Sequence, residues 1–220
     1  MRSYGEACTV AHALDLIGER WALLVVRDLL LGPKRFTDLE RGLPRINARI
    51  LTQRLRELEA VGVVRRRRLS APADTTVYEL TEWGADLESV IEHLGRWGRR
   101  SPLLDADANV GVDSVVLALR FRFDRDAARD LSATYLLRFP HDRLAVYLSN
   151  GDLRIVREDP SAPDAVLDTD PRTLAALVTK RLTVLEATAS GPLDSDREHA
   201  RRRPAVQRRA DPGLSPVSAT

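Results

Sequence analysis

The segment from residue 47 to residue 62 carries the pattern that most restricts the fold of this chain. Three leucines recur at i, i+4 and i+7: Leu51, Leu55 and Leu58. This spacing places them on one helix face, which must be buried against other apolar elements. The opposite face carries polar side chains: Arg49, Gln53 and Arg56, with Thr52 beside them. Asn47 is a good N-cap, and Gly62 suits the left-handed position that ends a helix.

An arginine run follows this helix directly. Residues 63–69 favour a strand containing Arg65, Arg66, Arg67 and Arg68, and after a turn over 70–74 residues 76–80 favour a second strand. Because alternate side chains of a strand face opposite ways, only Arg65 with Arg67, or Arg66 with Arg68, can face one partner together. The other pair is expected to meet Glu79, Glu82 or solvent. Residues 33–70 hold 11 basic and 4 acidic side chains, which favours a polyanionic partner.

The elements around these two complete a specific order. Residues 8–31 predict two helices divided near Gly18, and Thr37 with Glu40 resembles a capping box that opens a short helix before Pro44. Thr81 can cap a last helix that continues to about residue 98. This order is that of a winged helix-turn-helix, in which the Asn47–Val61 helix enters the major groove of DNA.

The outward side chains of that helix suit base recognition. Arginine can form two hydrogen bonds to guanine, glutamine can form two to adenine, and threonine can hydrogen-bond to more than one kind of base. Basic side chains near helix starts are expected to contact phosphates. The predicted DNA-binding residues are Lys34, Arg35, Arg45, Asn47, Arg49, Thr52, Gln53, Arg56, Arg66 and Arg68. The alternative for any one charged residue is a solvated surface position without a partner.

Several motifs in this region resemble one family of regulators. They are Cys8, GERW at 18–21, RF at 35–36, LTQRLRELE at 51–59, Gly62 and YELTEWG at 78–84. Through them, the span from Cys8 to about Gly98 resembles the HxlR-type winged helix-turn-helix transcriptional regulators. The resemblance implies a homodimer that binds double-stranded DNA at an inverted repeat, with the first and last helices of the domain forming the dimer.

Apolar side chains on those two helices are the predicted dimer interface: Val10, Leu14, Trp83, Leu87, Val90, Ile91, Leu94 and Trp97. The alternative is that this stripe packs within one chain. The family resemblance also makes Cys8 a candidate redox sensor, since some members use such a cysteine to sense oxidants. Glu6 disfavours a thiolate there and His12 favours one, and a buried, inert thiol is the alternative.

The second half predicts a separate α+β unit after a linker over 101–112. We expect a strand over 115–123, a helix near 126–131, strands over 134–139 and 144–148, and a hairpin at Asn150-Gly151. A helix opens at Asp170-Pro171, with a buried side formed by Leu174, Leu177, Val178, Leu182 and Leu185.

Residues 113–195 also resemble, more loosely, a sterol-carrier-protein-type domain, which encloses an apolar tunnel. The resemblance implies a small hydrophobic effector; the alternative is a structural module without a ligand. The polar, basic and proline-rich tail over 196–220 departs from that family, and we expect it to be disordered. The complete fold class is therefore α+β: an N-terminal winged helix-turn-helix over 1–100, followed by a small sterol-carrier-like domain.

The remaining composition narrows the function. No run of 18 apolar residues exists, which argues against a membrane span, and the N-terminus lacks the apolar core of a signal peptide, so we expect a cytoplasmic protein. One cysteine excludes an internal disulfide, and four scattered histidines suggest no metal site. No cofactor or catalytic motif is present. We expect a transcriptional regulator, with repression favoured, and not an enzyme; the rival is a lipid-binding carrier whose N-terminal half serves dimerisation.

Overall fold

The computed structural model describes residues 3–70, 74–105, 108–189 and 194–196. Its first part, here called the N-terminal unit, contains helices and one β-hairpin: α1 (Thr9–Ile17), α2 (Ala22–Leu29), α3 (Phe36–Gly42), α4 (Ala48–Ala60), β1 (Val64–Leu69), β2 (Thr75–Leu80), α5 (Glu82–Ala85) and α6 (Leu87–Gly98). The predicted winged helix-turn-helix order is confirmed. The last predicted helix is divided at Asp86 into α5 and α6.

Helix ends in this unit follow local capping chemistry. Asn47 Oδ1 accepts a hydrogen bond from the Ile50 backbone N–H at 2.8 Å, as predicted for the start of α4. The predicted capping box of Thr37 and Glu40 is wrong. The N-cap of α3 is Arg35, two residues before Thr37, and the Asp38 carboxylate accepts a hydrogen bond from the Arg35 N–H at 3.2 Å. An acidic side chain three residues after the cap exists in both registers, so sequence spacing could not separate them.

The core of the N-terminal unit lies where α2, α3, α4 and the wing meet. Leu51, Leu55 and Leu58 are buried there, which confirms the predicted apolar face of α4. The other buried members come from every neighbouring element: Ile17, Ala22, Val25, Val26, Leu29, Leu39, Leu43, Ile46, Val63 and Val64. At the end of α4, Gly62 has a φ of +76°, as its left-handed position requires.

The second group of elements, here called the C-terminal unit, begins with a helix. Its elements are α7 (Val112–Phe121), β3 (Ser132–Arg138), β4 (Arg143–Ser149), β5 (Asp152–Val156), β6 (Ala165–Asp168), α8 (Pro171–Val178), α9 (Val184–Ala189) and β7 (Asp194–Asp196). The expected strand over 115–123 is wrong because it is helix α7. The expected helix near 126–131 is also wrong, since residues 125–130 form turns.

The sheet of this unit has the order β5-β4-β3-β6-β7. Strands β3, β4 and β5 form an antiparallel meander, β6 pairs parallel with β3, and β7 pairs antiparallel with β6. Asn150 and Gly151 have φ values of +50° and +82°, which confirms the predicted tight hairpin between β4 and β5. Side chains of α7, α8 and these strands share a second core that includes Val115, Val116, Leu144 and Leu174.

The predicted C-terminal helix is two helices. Asp170 Oδ1 accepts from the backbone N–H groups of Arg172 and Thr173, which confirms the start of α8. The helix ends at Val178, and Lys180 has a φ of +58°, which turns the chain before α9. Leu185 is 81% exposed, so it does not continue the buried side of α8. The expected disordered tail lies, apart from residue 196, outside the described residues. Within the described ranges, no helix is long and apolar enough to cross a membrane.

Candidate nucleic-acid interface

The outer face of α4 is an exposed, polar surface. Arg49, Gln53 and Arg56 are exposed and Thr52 is half-buried beside them. The Thr52 hydroxyl donates to the Ala48 carbonyl at 2.8 Å, and Gln53 Nε2 donates to Glu57 Oε1 at 3.0 Å. These side chains line a shallow open groove along the helix. Because the opposite face of α4 is the buried leucine row, this outer face is fixed in orientation by the core.

Another arginine of the same helix has a different role, which sequence reasoning missed. Arg54 is buried and forms ion pairs with Glu57 and, at 3.5 Å, with Glu19. It therefore ties α4 to the turn after α1 and is not available to a nucleic acid. The available signal was its place in the helix, one residue before the core residue Leu55 and three before Glu57.

The wing separates its four arginines into two sets. Arg65 Nε and Arg67 Nε donate to the two carboxylate oxygens of Glu79 at 2.8 and 2.9 Å. Hydrogen bonds from Arg67, together with those from Arg65, hold the pKa of Glu79 below its usual value. Of the two alternatives left by the sequence, Arg65 and Arg67 are thus the pair that meets Glu79.

The second set, Arg66 and Arg68, has partners other than Glu79. The Arg66 guanidinium lies over the Tyr78 ring, with its carbon 5.7 Å from the ring centroid. Arg68 Nε donates to Asp74 Oδ1 at 2.9 Å, and both of those side chains are exposed. Exposed ion pairs are weak, so Arg68 can exchange Asp74 for a phosphate at little cost.

The predicted phosphate contacts before and after α3 differ in exposure. Arg35 and Arg45 are exposed, and Asn47 is exposed with its side-chain oxygen occupied by capping. The prediction that Lys34 contacts phosphate is wrong. Lys34 is 5% exposed, and its ammonium forms an ion pair with Asp113 of α7. The partner lies 79 residues downstream, so no local pattern could reveal it.

Exposed apolar side chains, here called the apolar patch, lie on α1 and the last two helices of the N-terminal unit: Val10, Leu14, Trp83, Val90, Leu94 and Trp97. Leu87 and Ile91, predicted in the same stripe, are half-buried and pack against the N-terminal core. Those two agree with the alternative of packing within one chain. Exposed large apolar side chains, when they are contiguous, are typical of surfaces that protein partners cover.

Cys8 is the residue that precedes α1. Its thiol is free and partly exposed. Hydrogen bonding to the backbone N–H groups of Ala11 and Val10, at the first turn of the helix, lowers the pKa of this thiol. The alternative of a buried thiol is therefore wrong. The sensing role of Cys8 stays a prediction.

Comparison with known proteins places this arrangement in a family. The family described as HxlR-like helix-turn-helix matches residues 16–103. The HTH-type transcriptional regulator YdeP of Bacillus subtilis (strain 168) is 40% identical over 95 residues, which are 43% of this chain and 74% of YdeP. The chain belongs to the HxlR family. YodB of the same organism, also an HTH-type transcriptional regulator, is 36% identical over 39% of this chain and 76% of its own length.

Solved structures of transcriptional regulators cover a similar share of the chain. The reduced form of YodB from B. subtilis has 32% sequence identity and a TM-score of 0.40, covering 44% of this chain and 97% of YodB. The redox regulator HypR in its oxidized form has 37% identity and a TM-score of 0.40, covering 44% and 100%. As an HxlR-family protein the chain is a DNA-binding transcriptional regulator, and its relatives are regulators and not enzymes, as the sequence predicted.

Proposed function

We propose that this HxlR-type protein is a homodimeric repressor that binds an inverted-repeat operator through α4 and the wing. Residues 1–100 form the DNA-binding and dimerisation domain, 101–112 the linker, and 113–195 a C-terminal domain. One observation carries the proposal: the exposed face of Arg49, Gln53 and Arg56 lies opposite the buried leucines of α4, and α4 contacts β1 of the arginine-bearing hairpin. That combination supports insertion of α4 into the major groove, with the wing on the neighbouring phosphates.

The side chains divide into two roles in this docking. Arg49, Gln53 and Arg56, with Thr52 at the margin, contact base edges and set sequence preference. Arg35, Arg45, Arg66 and Arg68 contact phosphates, which contribute affinity and register without sequence information. Asn47 acts by fixing the start of α4, where its side chain caps the helix.

Dimerisation determines the form of the operator. In this proposal Val10, Leu14, Trp83, Val90, Leu94 and Trp97 meet their counterparts across a two-fold axis, and the two α4 helices face the same side of the duplex. A separation of one helical turn, about 34 Å, then allows both to enter successive major grooves. The operator is expected to have two inverted half-sites with centres about 10 base pairs apart.

Selection of duplexes from a random pool by the purified full-length protein tests this proposal. The expected result is an enriched inverted repeat, bound with a Kd below about 1 µM, and a complex containing two protein chains per duplex. Enrichment of no motif, or equal affinity for every duplex, would contradict it. A promoter carrying the enriched site ahead of a reporter gene then tests repression, since expression should fall when the protein is supplied.

Cys8 gives the proposal a redox component. The lowered thiol pKa and the partial exposure of Cys8 favour oxidation, and α1 also carries part of the proposed dimer surface through Val10 and Leu14. Hydrogen peroxide is therefore expected to weaken the DNA complex of the wild type and to leave that of Cys8→Ser unchanged. Equal responses of the two proteins would remove Cys8 from the proposal.

The C-terminal unit is proposed to accept a small apolar effector, and the support is the sterol-carrier-like sequence resemblance of residues 113–195. Open cavities lie along α4 and α6 of the N-terminal unit. Native mass spectrometry of the protein purified from its own cell tests this part independently of DNA binding. A retained hydrophobic molecule supports it, and a spectrum containing only bare protein contradicts it.

A further inference from the structure

Charged side chains from both units meet between α2 and α7 in a group here called the junction cluster: Arg27, Asp28, Lys34, Asp113, Asp142 and Arg157. Three are cations and three are anions, so the cluster has no net formal charge. Neither DNA contact nor dimerisation uses these side chains. Such a cluster is costly to bury and requires good geometry in each pair.

The central pair joins the two units. The Lys34 side chain is 5% exposed and that of Asp113 is 8% exposed. One oxygen of Asp113 pairs with Lys34, and the other accepts from Arg157 Nη2 at 2.6 Å. Burial acts to raise the pKa of Asp113, but the adjacent Lys34 and Arg157 cations outweigh it, so the pKa lies below its usual value. Asp113 is therefore held as a carboxylate between a cation of each unit.

The backbone of Lys34 is bound to the wing. Its N–H donates to the Tyr78 carbonyl at 2.9 Å, and the Tyr78 N–H donates to the Lys34 carbonyl at 2.7 Å. Tyr78 lies in β2, and its ring carries the Arg66 guanidinium. The next residue, Arg35, caps α3. Lys34 thus connects three parts of the molecule. Its backbone is bonded to the wing and precedes α3, and its side chain is paired with the C-terminal unit.

We propose that Lys34 is a positioning residue through which Asp113 of the C-terminal unit fixes the wing and α3 for DNA binding. This inference rests on the proposed function, because it assigns a task to the C-terminal unit within that function. The C-terminal unit stabilises the positions of the wing and α3 that present Arg66 and Arg35 to DNA. In return, DNA bound to the wing stabilises the packing of the C-terminal unit against α2, here called its seating. Leu31, next to this segment, packs against the C-terminal core and supports the same connection.

Substitution of Asp113 separates positioning from direct contact. If Lys34 contacted phosphate itself, Asp113→Asn would release the ammonium and leave DNA affinity unchanged or stronger. Positioning requires the opposite sign: Kd for the selected duplex, measured by fluorescence anisotropy, should rise about tenfold, the size of a typical coupling between sites. Lys34→Met should raise Kd similarly without flattening the dependence of log Kd on log salt, because no phosphate contact is lost.

Two control variants match the charge change. Asp142→Asn neutralises a carboxylate that bonds Arg157 at 3.3 Å but does not touch Lys34. Glu88→Gln removes the ion pair between α6 and Arg120 of α7, a second connection between the units that involves neither Lys34 nor Asp113. Both are expected to change Kd by no more than about twofold. Circular dichroism must show each variant folded at the assay temperature, and a folded Asp113→Asn protein with wild-type Kd would overturn the proposal.

A measurement on the wild type applies even if Asp113→Asn does not fold. By reciprocity, DNA that stabilises the wing must also stabilise the seating of α7. Hydrogen exchange of the Val112–Phe121 amides should therefore slow when the selected duplex is added. Protection of α4 with unchanged exchange in α7 would overturn the positioning role while leaving the proposed function intact. Protection of neither helix would overturn the proposed function itself.

Discussion

Asp28 occupies the space next to the α-carbon of Gly42. A Cβ placed on Gly42 would lie 2.5 Å from Asp28 Oδ2, and Asp113 Oδ2 would be 3.7 Å from it. Asp28 is fully buried, and its other oxygen accepts from Arg27 Nε at 2.9 Å. The end of α3 therefore comes against the junction cluster only because residue 42 has no side chain.

Gly42→Ala is expected to destabilise the protein despite the better helix propensity of alanine. The added methyl group must displace a buried carboxylate that Arg27 holds, which costs about 1–3 kcal/mol of unfolding free energy. Gly95→Ala is the matched control, since α6 has nothing within 4 Å of the new Cβ, and it should stabilise by about 0.5–1 kcal/mol. Urea unfolding of the two variants checks the pair, and equal effects would disprove the close packing at Gly42.

Substitutions on the outer face of α4 are expected to change sequence preference. Arg49→Ala, Gln53→Ala and Arg56→Ala each remove an exposed side chain without disturbing the leucine core. Each should cost about 1–3 kcal/mol on the selected operator and little on unrelated DNA, because base contacts are lost. Competition binding against half-sites altered at single positions measures this. A uniform loss on all sequences would show that α4 contacts only the backbone.

The wing is expected to behave in the opposite way. Arg66→Ala should weaken binding to all sequences about equally and lower the salt slope by about one unit, as expected for a lost phosphate contact. Arg65→Ala is the matched control on the same strand. Because Arg65 pairs with Glu79, its loss should change the salt slope much less. Equal slopes for the two variants would contradict the division of the four arginines into two sets.

The N-terminal unit was predictable because its signals are local and consistent. The leucines predict the buried face of α4, Asn47 predicts its start and Gly62 predicts its end. The structure confirms all three. The strand alternation of the wing limited its arginines to two pairings. It could not choose between them, because the choice depends on where Glu79 lies across the hairpin.

The sequence-based predictions are wrong where a hydrophobic pattern fits both helix and strand, or where the partner of a residue is distant in the sequence. Val115, Val116 and Leu117 are consecutive buried residues, since α7 lies between α2 and the C-terminal sheet, and such a short apolar run fits a strand equally well. The four residues of β6 were not predicted as a strand. Lys34 was misassigned because its charge suggested phosphate, and only the fold brings Asp113 to it.

Leu94→Glu is expected to convert the proposed dimer into monomers. Leu94 is 48% exposed on the apolar patch, and a carboxylate at the centre of a two-fold interface would be repeated on both sides and buried. Leu131→Glu is the control, because Leu131 is 51% exposed on the C-terminal unit, outside the patch. Analytical ultracentrifugation should give monomers for the first variant and dimers for the second. A dimer that tolerates Leu94→Glu would place the interface elsewhere.

The buried Asp28 is expected to make the stability of the folded protein depend on pH. Burial, with a smaller contribution from nearby Asp113, raises the pKa of Asp28 against the opposing effects of Arg27 and Lys34. Within the described part of the chain, its Oδ2 accepts no hydrogen bond. A group whose pKa is raised on folding stabilises the native state at low pH, and this contribution is lost as pH rises through the folded pKa.

Asp28→Asn removes that dependence. The amide keeps an acceptor for Arg27 and removes the cost of burying a charge, so at neutral pH the variant should be about 1 kcal/mol more stable. The advantage should shrink as pH falls towards the ordinary pKa of aspartate, because wild-type Asp28 then becomes protonated and neutral. Thermal unfolding of both proteins across this range measures the difference. An advantage that grew on acidification would mean that Asp28 is stabilised as a carboxylate by the junction cluster.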